Sequence, residues 1–307
     1  MDITLHQLRL FLKVVETGSV TKAAEALHLT QPAVSVQLKK LDEQFNIPLT
    51  EVIGRKLFIT SFGQEVAESC RRMLDEAEAL RHRTNTYKGK LAGSLRFSVV
   101  STAKYVMPFF IGNFYEQHPG IDLAIDVTNK ATVIESVEKN EVDFALVSTL
   151  PAQLNIEKLA LMKNSLYLVA NQDFQRKTLK PEELENYTLI FRENGSATRR
   201  AMETYLKIHQ VRPSKRLKLT SNEAVKQAVI AGLGLSIMPL IGLRHELRSG
   251  QLKRIRVSGL PMQTNWHLIW QAHKRLSPAA EAYLSYIRTE KDRIMDKHFE
   301  WIEKVDN

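Results

Sequence analysis

Four turns in the chain after residue 100 carry side chains that could bind an anion. At each turn, a segment with the pattern of a strand runs into a segment with the pattern of a helix. In open α/β sheets ligands bind at the carboxyl ends of the strands, and free N–H groups at a helix N-terminus favour negative charge. The turn residues that we predict to bind a small anion are Ser101, Thr102, Lys104, Thr128, Asn129, Ser196, Thr198, Arg199, Ser221 and Asn222.

The same side chains have a simpler use, because Ser, Thr and Asn are preferred helix N-caps. Capping is a sufficient explanation of any single turn. Four such turns with cations beside them favour a ligand such as a phosphorylated sugar or a related metabolite. A non-phosphorylated organic acid, or no ligand, remains an alternative. The cations in or near the turns are Lys104, Lys130, Arg192, Arg199 and Arg200.

A second set of candidate residues lies between Ser19 and Phe45, where the pattern predicts two short helices around a tight turn. Ser19 or Thr21 can cap the first helix, and Pro32 suits the first turn of the second. The second helix has one apolar stripe with spacings of 4, 3 and 4, formed by Val34, Leu38, Leu41 and Phe45.

The opposite face of that second helix is polar and could hydrogen-bond base edges or phosphates of double-stranded DNA. An ordinary helical hairpin with a solvated face is the alternative. A basic hairpin, or wing, is predicted within residues 52–60. Thr30 stands at the start of this helix and is included among the predicted DNA contacts. The residues predicted to contact bases are Gln31, Pro32, Ser35 and Gln37. The residues predicted to contact phosphates are Lys22, Lys39, Arg55 and Lys56.

The next segment, Gly63 to Tyr87, predicts one long helix with a heptad seam. Apolar residues at spacings of 4 and 3 form a stripe that needs a partner. The same helix of a second subunit, parallel or antiparallel, could cover this stripe, and we therefore predict a homodimer. The alternative is that the stripe packs against the rest of its own chain. The seam consists of Val66, Cys70, Met73, Ala77, Leu80, Thr84 and Tyr87.

From residue 94 to about 290, strands and helices alternate, which is typical of an α/β fold with a mainly parallel sheet. The predicted strands are Leu95–Val100, Ile121–Thr128, Val142–Ser148, Leu166–Ala170, Leu189–Arg192, Leu217–Thr220, Leu235–Met238 and Trp266–Gln271. The predicted helices are Val106–Gln117, Thr132–Lys139, Thr198–Ile208, Glu223–Ala231 and Ala279–Glu290 onward.

Composition narrows the possible functions. The net charge is +9, but residues 1–90 hold 13 basic and 11 acidic residues while residues 91–307 hold 30 and 23, so charge alone is weak evidence of DNA binding. The apolar run Ala228–Leu243 has 16 residues, fewer than the ~20 that a membrane helix needs. The N-terminus has no signal-peptide pattern. We expect a cytoplasmic protein with no membrane partner.

Catalytic signatures are lacking in the sequence. Cys70 is the single cysteine, which excludes an intramolecular disulfide and a cysteine zinc cluster. The histidines have no metal-ligand spacing, and no nucleophile elbow occurs. We therefore predict no catalytic residue, no metal, no cofactor and no enzyme activity. A metabolite-binding protein whose N-terminal helices serve only for assembly is the other alternative to a DNA-binding protein.

The amino-acid sequence of the chain resembles those of the LysR-type transcriptional regulators. The resemblance rests on LHQLRLFLKVVETGSVTKAAEALHLTQPAVSVQLKKLDEQFNIPL, on GRKLFIT and on Gly63. It extends over nearly the whole chain, since VVSTAKYVMP, ENGSATRRAME and SNEAVKQAVIAGLGLSIMP resemble the carbon-fixation regulators of that family, its CbbR-like branch. The resemblance also points to the turn residues Ser101, Thr102, Thr128, Asn129, Thr198, Ser221 and Asn222.

This resemblance implies a multidomain fold. Residues 1–60 would form an all-α winged helix-turn-helix, and residues 61–90 a linker and dimerisation helix. Residues 91–307 would form a two-lobed α/β effector-binding domain similar to periplasmic binding proteins, with lobe I at about 94–160 and 266–307 and lobe II at about 161–265. It further implies three partners, namely double-stranded DNA, a small anionic metabolite and RNA polymerase. It also implies that the protein assembles as a homotetramer.

Three residues depart from the family pattern. Thr50 and Val52 occupy positions where the family usually has Phe and Arg, although Arg55 and Lys56 could replace the lost backbone contact. Val36 stands where many relatives have Arg in the reading helix. Valine cannot hydrogen-bond a base, but it can touch a thymine methyl group. The departure leaves the base preference open at that position.

Overall fold

The protein consists of two compact units, Met1–Lys90 and Leu91–Asn307. The structure, a computed structural model, describes residues 2–54, 56–86 and 91–306. The elements of the first unit are α1 (Leu5–Thr17), α2 (Val20–Ala26), α3 (Gln31–Asp42), β1 (Thr50–Ile53), β2 (Lys56–Ile59) and α4 (Ser61–Thr86).

Each of the three N-terminal helices begins after a residue of a type that is common at the N-cap position. Thr4 and Gln7 form a capping box at the start of α1, which satisfies two free N–H groups. Ser19 caps α2 with its side chain. Of the two predicted N-cap residues, Ser19 and Thr21, it is therefore Ser19 that caps the helix. Thr30 is the N-cap of α3 without a side-chain bond, and Pro32 lies in the first turn. The predicted helix-turn-helix is confirmed.

The core of the first unit surrounds α1, which contacts α2, α3 and α4. Leu8 and Phe11 are buried, whereas Leu12 and Val15 are only half-buried. Helices pack on α1 from more than one side, so its buried face is wider than a single stripe. The buried residues of α1 are Gln7, Leu8, Leu10, Phe11 and Val14.

The predicted wing is present as the antiparallel hairpin of β1 and β2. Ile53 pairs with Lys56, so the two strands are joined by a two-residue turn. Gly54 has φ 54°, a left-handed conformation that suits glycine. Arg55, at the predicted basic tip, lies outside the described residues.

The seam of α4 is covered by the chain itself only in its first half. Cys70 is fully buried and Val66 is half-buried in the core around α1, and burial raises the pKa of the Cys70 thiol to about 11. Further along, Met73 is 46% exposed and Leu80 is 66% exposed. The alternative of packing on the chain's own body therefore holds for the first two turns of the seam. Tyr87 and the side chain of Thr84 lie outside the described residues.

We expect Gly63→Ala to destabilise the first unit selectively. A Cβ at Gly63 would overlap the carbonyl oxygen of Leu49 and lie 2.9 Å from Ile59 Cγ2, so α4 would have to move away from the wing at a cost of about 1–3 kcal/mol. Urea unfolding checks this, because all three tryptophans (266, 270 and 301) belong to the second unit. Circular dichroism should show an earlier transition while tryptophan fluorescence keeps its midpoint.

Gly112→Ala is the matched control for this substitution. No heavy atom lies within 4 Å of the position that its Cβ would take, and alanine is favoured over glycine within a helix by about 0.5–1 kcal/mol. The tryptophan transition should then shift to slightly higher urea. An unchanged circular dichroism profile for Gly63→Ala would contradict the close approach of α4 to Leu49.

The second unit contains the elements predicted for an α/β fold, with one additional strand and one additional short helix. They are β3 (Ala92–Val100), α5 (Met107–Gln117), β4 (Gly120–Thr128), α6 (Lys130–Glu138), β5 (Phe144–Val147), β6 (Ile156–Asn171), β7 (Thr188–Arg192), α7 (Ala197–Ile208), β8 (Lys215–Leu219), α8 (Asn222–Ile230), β9 (Ser236–Pro239), α9 (Arg244–Arg248), β10 (Leu252–Ile255), β11 (Met262–Gln271) and α10 (Pro278–Asp306).

The prediction of a mainly parallel sheet is wrong. The large sheet has the order β10-β6-β11-β5-β3-β4, with β9 also paired to β6. Only β3 is parallel to its neighbours β4 and β5, while β6 and β11 pair antiparallel with each other and with their other neighbours. The separate two-stranded sheet of β7 and β8 is parallel. Long antiparallel strands replace helical crossovers at the middle of the unit.

Two apolar cores lie in the second unit. The smaller core draws all of its buried residues from positions 166–257, around β7 and α7. The larger core surrounds β3, β5, α5 and α10, and it also takes Val225 and Val229 from α8. The far end of α10 packs one apolar edge, with Ile294, Phe299 and Ile302 buried. Over the described part of the chain, no helix has the length and apolarity required to span a bilayer.

Candidate functional site

Three of the four predicted turns line one cavity in the second unit. The cavity is open to solvent and has an empty volume of about 240 Å³. Its walls come from the ends of β3 and β7 and from the starts of α6 and α7. The lining residues are Val100, Ser101, Thr102, Asn129, Lys130, Arg192, Glu193, Ser196, Ala197 and Thr198.

Two helix N-termini meet at this cavity. The Asn129 side chain caps α6 by accepting from the backbone N of Thr132 at 3.1 Å. The Ser196 side chain caps α7 by accepting from the backbone N of Arg199 at 3.4 Å. The N-capping alternative therefore accounts for these two side chains. It does not account for the convergence of both helix ends, each of which carries partial positive charge.

Arg192 is 4% exposed in the cavity wall. Its Nε and Nη2 donate to the carboxylate of Glu193, both at 2.7 Å, and Nη2 also donates to Ser101 Oγ at 3.0 Å. Its Nη1 is buried and has no hydrogen-bond partner within the described chain. Arg192 thus joins β7 to the turn after β3 and keeps one donor unused.

Lys130 is the second cation of the cavity and is 8% exposed. None of the described carboxylates forms an ion pair with it. Glu193, the carboxylate that lines the cavity, is paired with Arg192 instead. Burial, reinforced by the nearby charge of Arg200, lowers the pKa of Lys130. A buried cation without a counter-ion costs free energy, and a bound anion would recover that cost.

The fourth turn reaches the cavity indirectly. Ser221 caps α8 by accepting from the backbone N of Ala224 at 3.0 Å. Asn222 is buried and its Nδ2 donates to Ser101 Oγ at 3.4 Å, while its Oδ1 has no partner among the residues described. Ser101 therefore collects donors from two different turns.

Three further predicted residues, besides Ser221 and Asn222, lie outside the cavity wall. Thr128 ends β4 without lining the cavity. Lys104 is exposed, with its Nζ 5.0 Å from the centroid of the Tyr105 ring. Arg199 pairs with Glu203 at 2.8 Å and donates to the carbonyl of Arg192.

The predicted set left out lining residues that the structure adds. They are Val100, Lys130, Arg192, Glu193 and Ala197. Lys130 directly follows the cap of α6 and Arg192 ends β7; both were named among the cations near the turns but not among the predicted binding residues. Arg199 and Glu203 are four residues apart, a spacing that favours an ion pair on a helix and indicates that Arg199 is engaged.

The polar face of α3 in the first unit is exposed, as required for DNA contacts. Gln31 Nε2 donates to Ser35 Oγ at 2.9 Å, which holds these two side chains together. Gln37 is half-buried, and Lys39 lies 3.8 Å from Glu43. The remaining predicted contacts in the described chain are exposed, namely Lys22, Thr30, Pro32 and Lys56.

Sequence comparison assigns both units to one family. A match to the bacterial regulatory helix-turn-helix proteins of the lysR family covers residues 5–64, and a match to the LysR substrate binding domain covers residues 88–292. The chain belongs to the LysR family. The HTH-type transcriptional activator CmpR of Synechocystis sp. is 36% identical over 289 residues, which cover 93% of this chain and 95% of CmpR.

Two further LysR-family relatives support the assignment. The RuBisCO operon transcriptional regulator of Acidithiobacillus ferrooxidans is 36% identical over 287 residues, 92% of this chain and 93% of the relative. The regulatory domain of Synechocystis PCC6803 CcmR, in complex with 2-PG, is similar with a TM-score of 0.60 and 31% identity, covering 63% of this chain and 95% of that domain. The predicted LysR family and CbbR-like branch are confirmed.

The protein is therefore a DNA-binding transcription regulator with an effector-binding domain. Its relatives are named as transcription regulators and not as enzymes. The match over residues 5–64 decides against the alternative in which the N-terminal helices serve only for assembly.

Proposed function

We propose that a small anionic metabolite, bound between Lys130 and Arg192, controls the DNA binding of this regulator. The observation that carries the proposal is the buried Lys130 side chain, which has no carboxylate partner in the described chain. Arg192, which has an unused Nη1 donor, lines the same cavity. Lys130 has no counter-charge among the described residues, and Arg192, although it is paired with Glu193, keeps one N–H donor for an anion.

The charge of the cavity favours a phosphorylated ligand over a simple carboxylate. Lys130 and Arg192 supply two positive charges and Glu193 removes one. The N-termini of α6 and α7 add about half a charge each. The total of about +2 matches a phosphate group, which carries about −1.5 to −2 at pH 7. The related CcmR domain in complex with 2-PG supports this preference.

Isothermal titration of the full chain with inorganic phosphate, 2-PG and acetate tests the proposal. Binding of 2-PG and phosphate that is much tighter than that of acetate supports a phosphorylated effector. Equal binding of acetate would favour a non-phosphorylated organic acid, and no binding of any anion would refute an anionic effector. Anisotropy titration of a labelled operator with and without the bound anion then measures its effect on DNA affinity.

The effector would act by changing how two parts of the second unit meet. Ser101 and Asn129 belong to one wall of the cavity, whereas Arg192 and Ser196 belong to the other. A ligand that contacts both walls favours one relative arrangement of the lobes, provided that it binds that arrangement more tightly. In a dimer, this shift would change the angle between the two reading heads and thereby the bend of the DNA.

Dimerisation through α4 is part of the same proposal. Met73 and Leu80 leave the second half of the seam uncovered, and a twin helix from a second subunit would bury them. Two reading heads would then meet two half-sites about one helical turn apart. A homotetramer and contact with RNA polymerase follow from the family resemblance alone.

We expect Gln31→Ala to weaken binding to the cognate operator by about 1–3 kcal/mol and to relax base choice at one position. Gln31 is exposed at the start of α3, and its amide is held by Ser35, so it can reach a base edge as a fixed group. Anisotropy titrations on the operator and on single-base variants measure both effects. Lys39→Ala is the control, which should weaken all duplexes alike and lower the salt slope. Uniform weakening by Gln31→Ala would show that Gln31 reads no base.

A further inference from the structure

The exposed face of α3 has an apolar centre. Val36 is two residues from Val34 and two from Leu38, and a helix turns about 100° per residue, so Val36 points about 160° away from each of them. Val34 and Leu38 are buried in the core of the first unit. Val36 itself is 52% exposed. It therefore lies at the middle of the face that α3 turns away from its own core.

Val36 has apolar neighbours on the same face. Pro32 and Ala33 stand four and three residues before it, which places them beside it on the helix surface. Both are exposed. We call these three residues the α3 patch. The hydrogen-bonded pair Gln31 and Ser35 lies along one side of it.

The core of the first unit does not use the α3 patch. Pro32, Ala33 and Val36 are absent from the side chains that pack together around α1, as far as the structure describes them. A lone exposed apolar residue is ordinary on a protein surface. These three lie together in the N-terminal half of the helix that a helix-turn-helix protein inserts into the major groove, where they would face the base edges.

Thymine carries the apolar group that the major groove offers. The edges of the other bases present donors and acceptors, whereas thymine also presents its C5-methyl group. We propose that Val36, supported by Pro32 and Ala33, reads the C5-methyl of a thymine in each half-site of the operator. The same contact would reject cytosine, because valine would leave the cytosine amino group without a hydrogen bond. This inference rests on DNA binding by α3 and not on the proposed effector.

Replacement of thymine by deoxyuridine tests the contact, because it removes the methyl group and leaves the hydrogen bonds of the base pair. The operator is first selected from a random pool by the full-length protein, and each thymine is then replaced in turn. One thymine per half-site should lose about four-fold in affinity on loss of its methyl group, the amount expected for one buried carbon.

Val36→Ala should make the protein insensitive to that same replacement. Alanine is the best helix former, so α3 stays intact while the contact is lost. Because both subunits carry the substitution, the variant should bind the thymine operator about as weakly as the wild type binds an operator with the contacted thymine replaced in both half-sites. The salt dependence should stay unchanged, because no phosphate contact is removed.

Val52→Ala is the matched control, since Val52 is 70% exposed in the wing of the same unit. It should keep the full response to deoxyuridine. The inference is overturned if no thymine replacement affects the wild type. It is also overturned if Val36→Ala retains the wild-type ratio between the thymine and deoxyuridine operators, which would give Val36 no part in methyl recognition.

Discussion

Lys130→Met is expected to abolish anion binding without lowering the stability of the free protein. Lys130 is buried in the cavity with no ion pair in the described chain. Removing one partner of a buried charge pair costs about 2–5 kcal/mol, so the affinity for 2-PG or phosphate should fall at least about 30-fold. Methionine keeps the length and apolar contacts of the side chain. Isothermal titration and urea unfolding of both proteins measure the two effects.

Lys104→Met is the matched control because Lys104 is an exposed cation beside the same turn. Its side chain lies over the Tyr105 ring and does not line the cavity. It should keep wild-type affinity for the anion. If Lys104→Met lost the affinity and Lys130→Met kept it, the anion would bind at the outer surface of the turn. The cavity would then not be the effector site.

The pH dependence of binding gives a second readout of Lys130. Burial, with the charge of Arg200 added, lowers the pKa of Lys130 in the free protein, whereas a bound anion favours the charged form. Binding above the lowered pKa therefore requires uptake of a proton, and affinity should fall as the pH rises in the alkaline range. A phosphate monoester titrates near pH 6, so it does not contribute in the alkaline range. Lys130→Met should lack this alkaline decline.

The helices of the first unit could be predicted from the sequence because their signals are local. Capping residues such as Ser19 and the position of Pro32 indicate where helices begin, and the apolar spacing shows which face is buried. For the seam of α4, the apolar stripe could be predicted from the sequence but the surface that covers it could not. The sequence shows a stripe, but whether α1 or another chain covers it depends on tertiary packing. Cys70 is covered and Leu80 is not.

The sheet of the second unit was harder to predict because strand direction is not a local property. The segment 156–163 mixes charged residues with apolar ones, and only its pairing with β11 makes it part of β6. The turns of the cavity were located correctly, since they follow strands and precede helices. The choice among the cations depended on pairing, because Arg199 has Glu203 while Lys130 has no carboxylate partner among the described residues.

Leu80→Glu is expected to halve the mass of the assembly and to reduce operator affinity by orders of magnitude. Leu80 is 66% exposed on α4 and stands two heptads after Val66 in the seam. If a partner helix covers it, two glutamates related by symmetry would be buried near each other, and an unpaired buried charge costs about 3–5 kcal/mol. Each reading head would then bind its half-site alone. Sedimentation velocity gives the mass, and anisotropy titration gives the affinity.

Leu233→Glu is the control, because Leu233 is 56% exposed in the second unit, after α8. It should change neither the mass nor the operator affinity. The circular dichroism of Leu80→Glu should match the wild type, since glutamate is a good helix former and the core around α1 is not touched. A protein that keeps its mass and operator affinity with Glu at position 80 would show that subunits meet elsewhere. The exposed half of the α4 seam would then be a solvated surface.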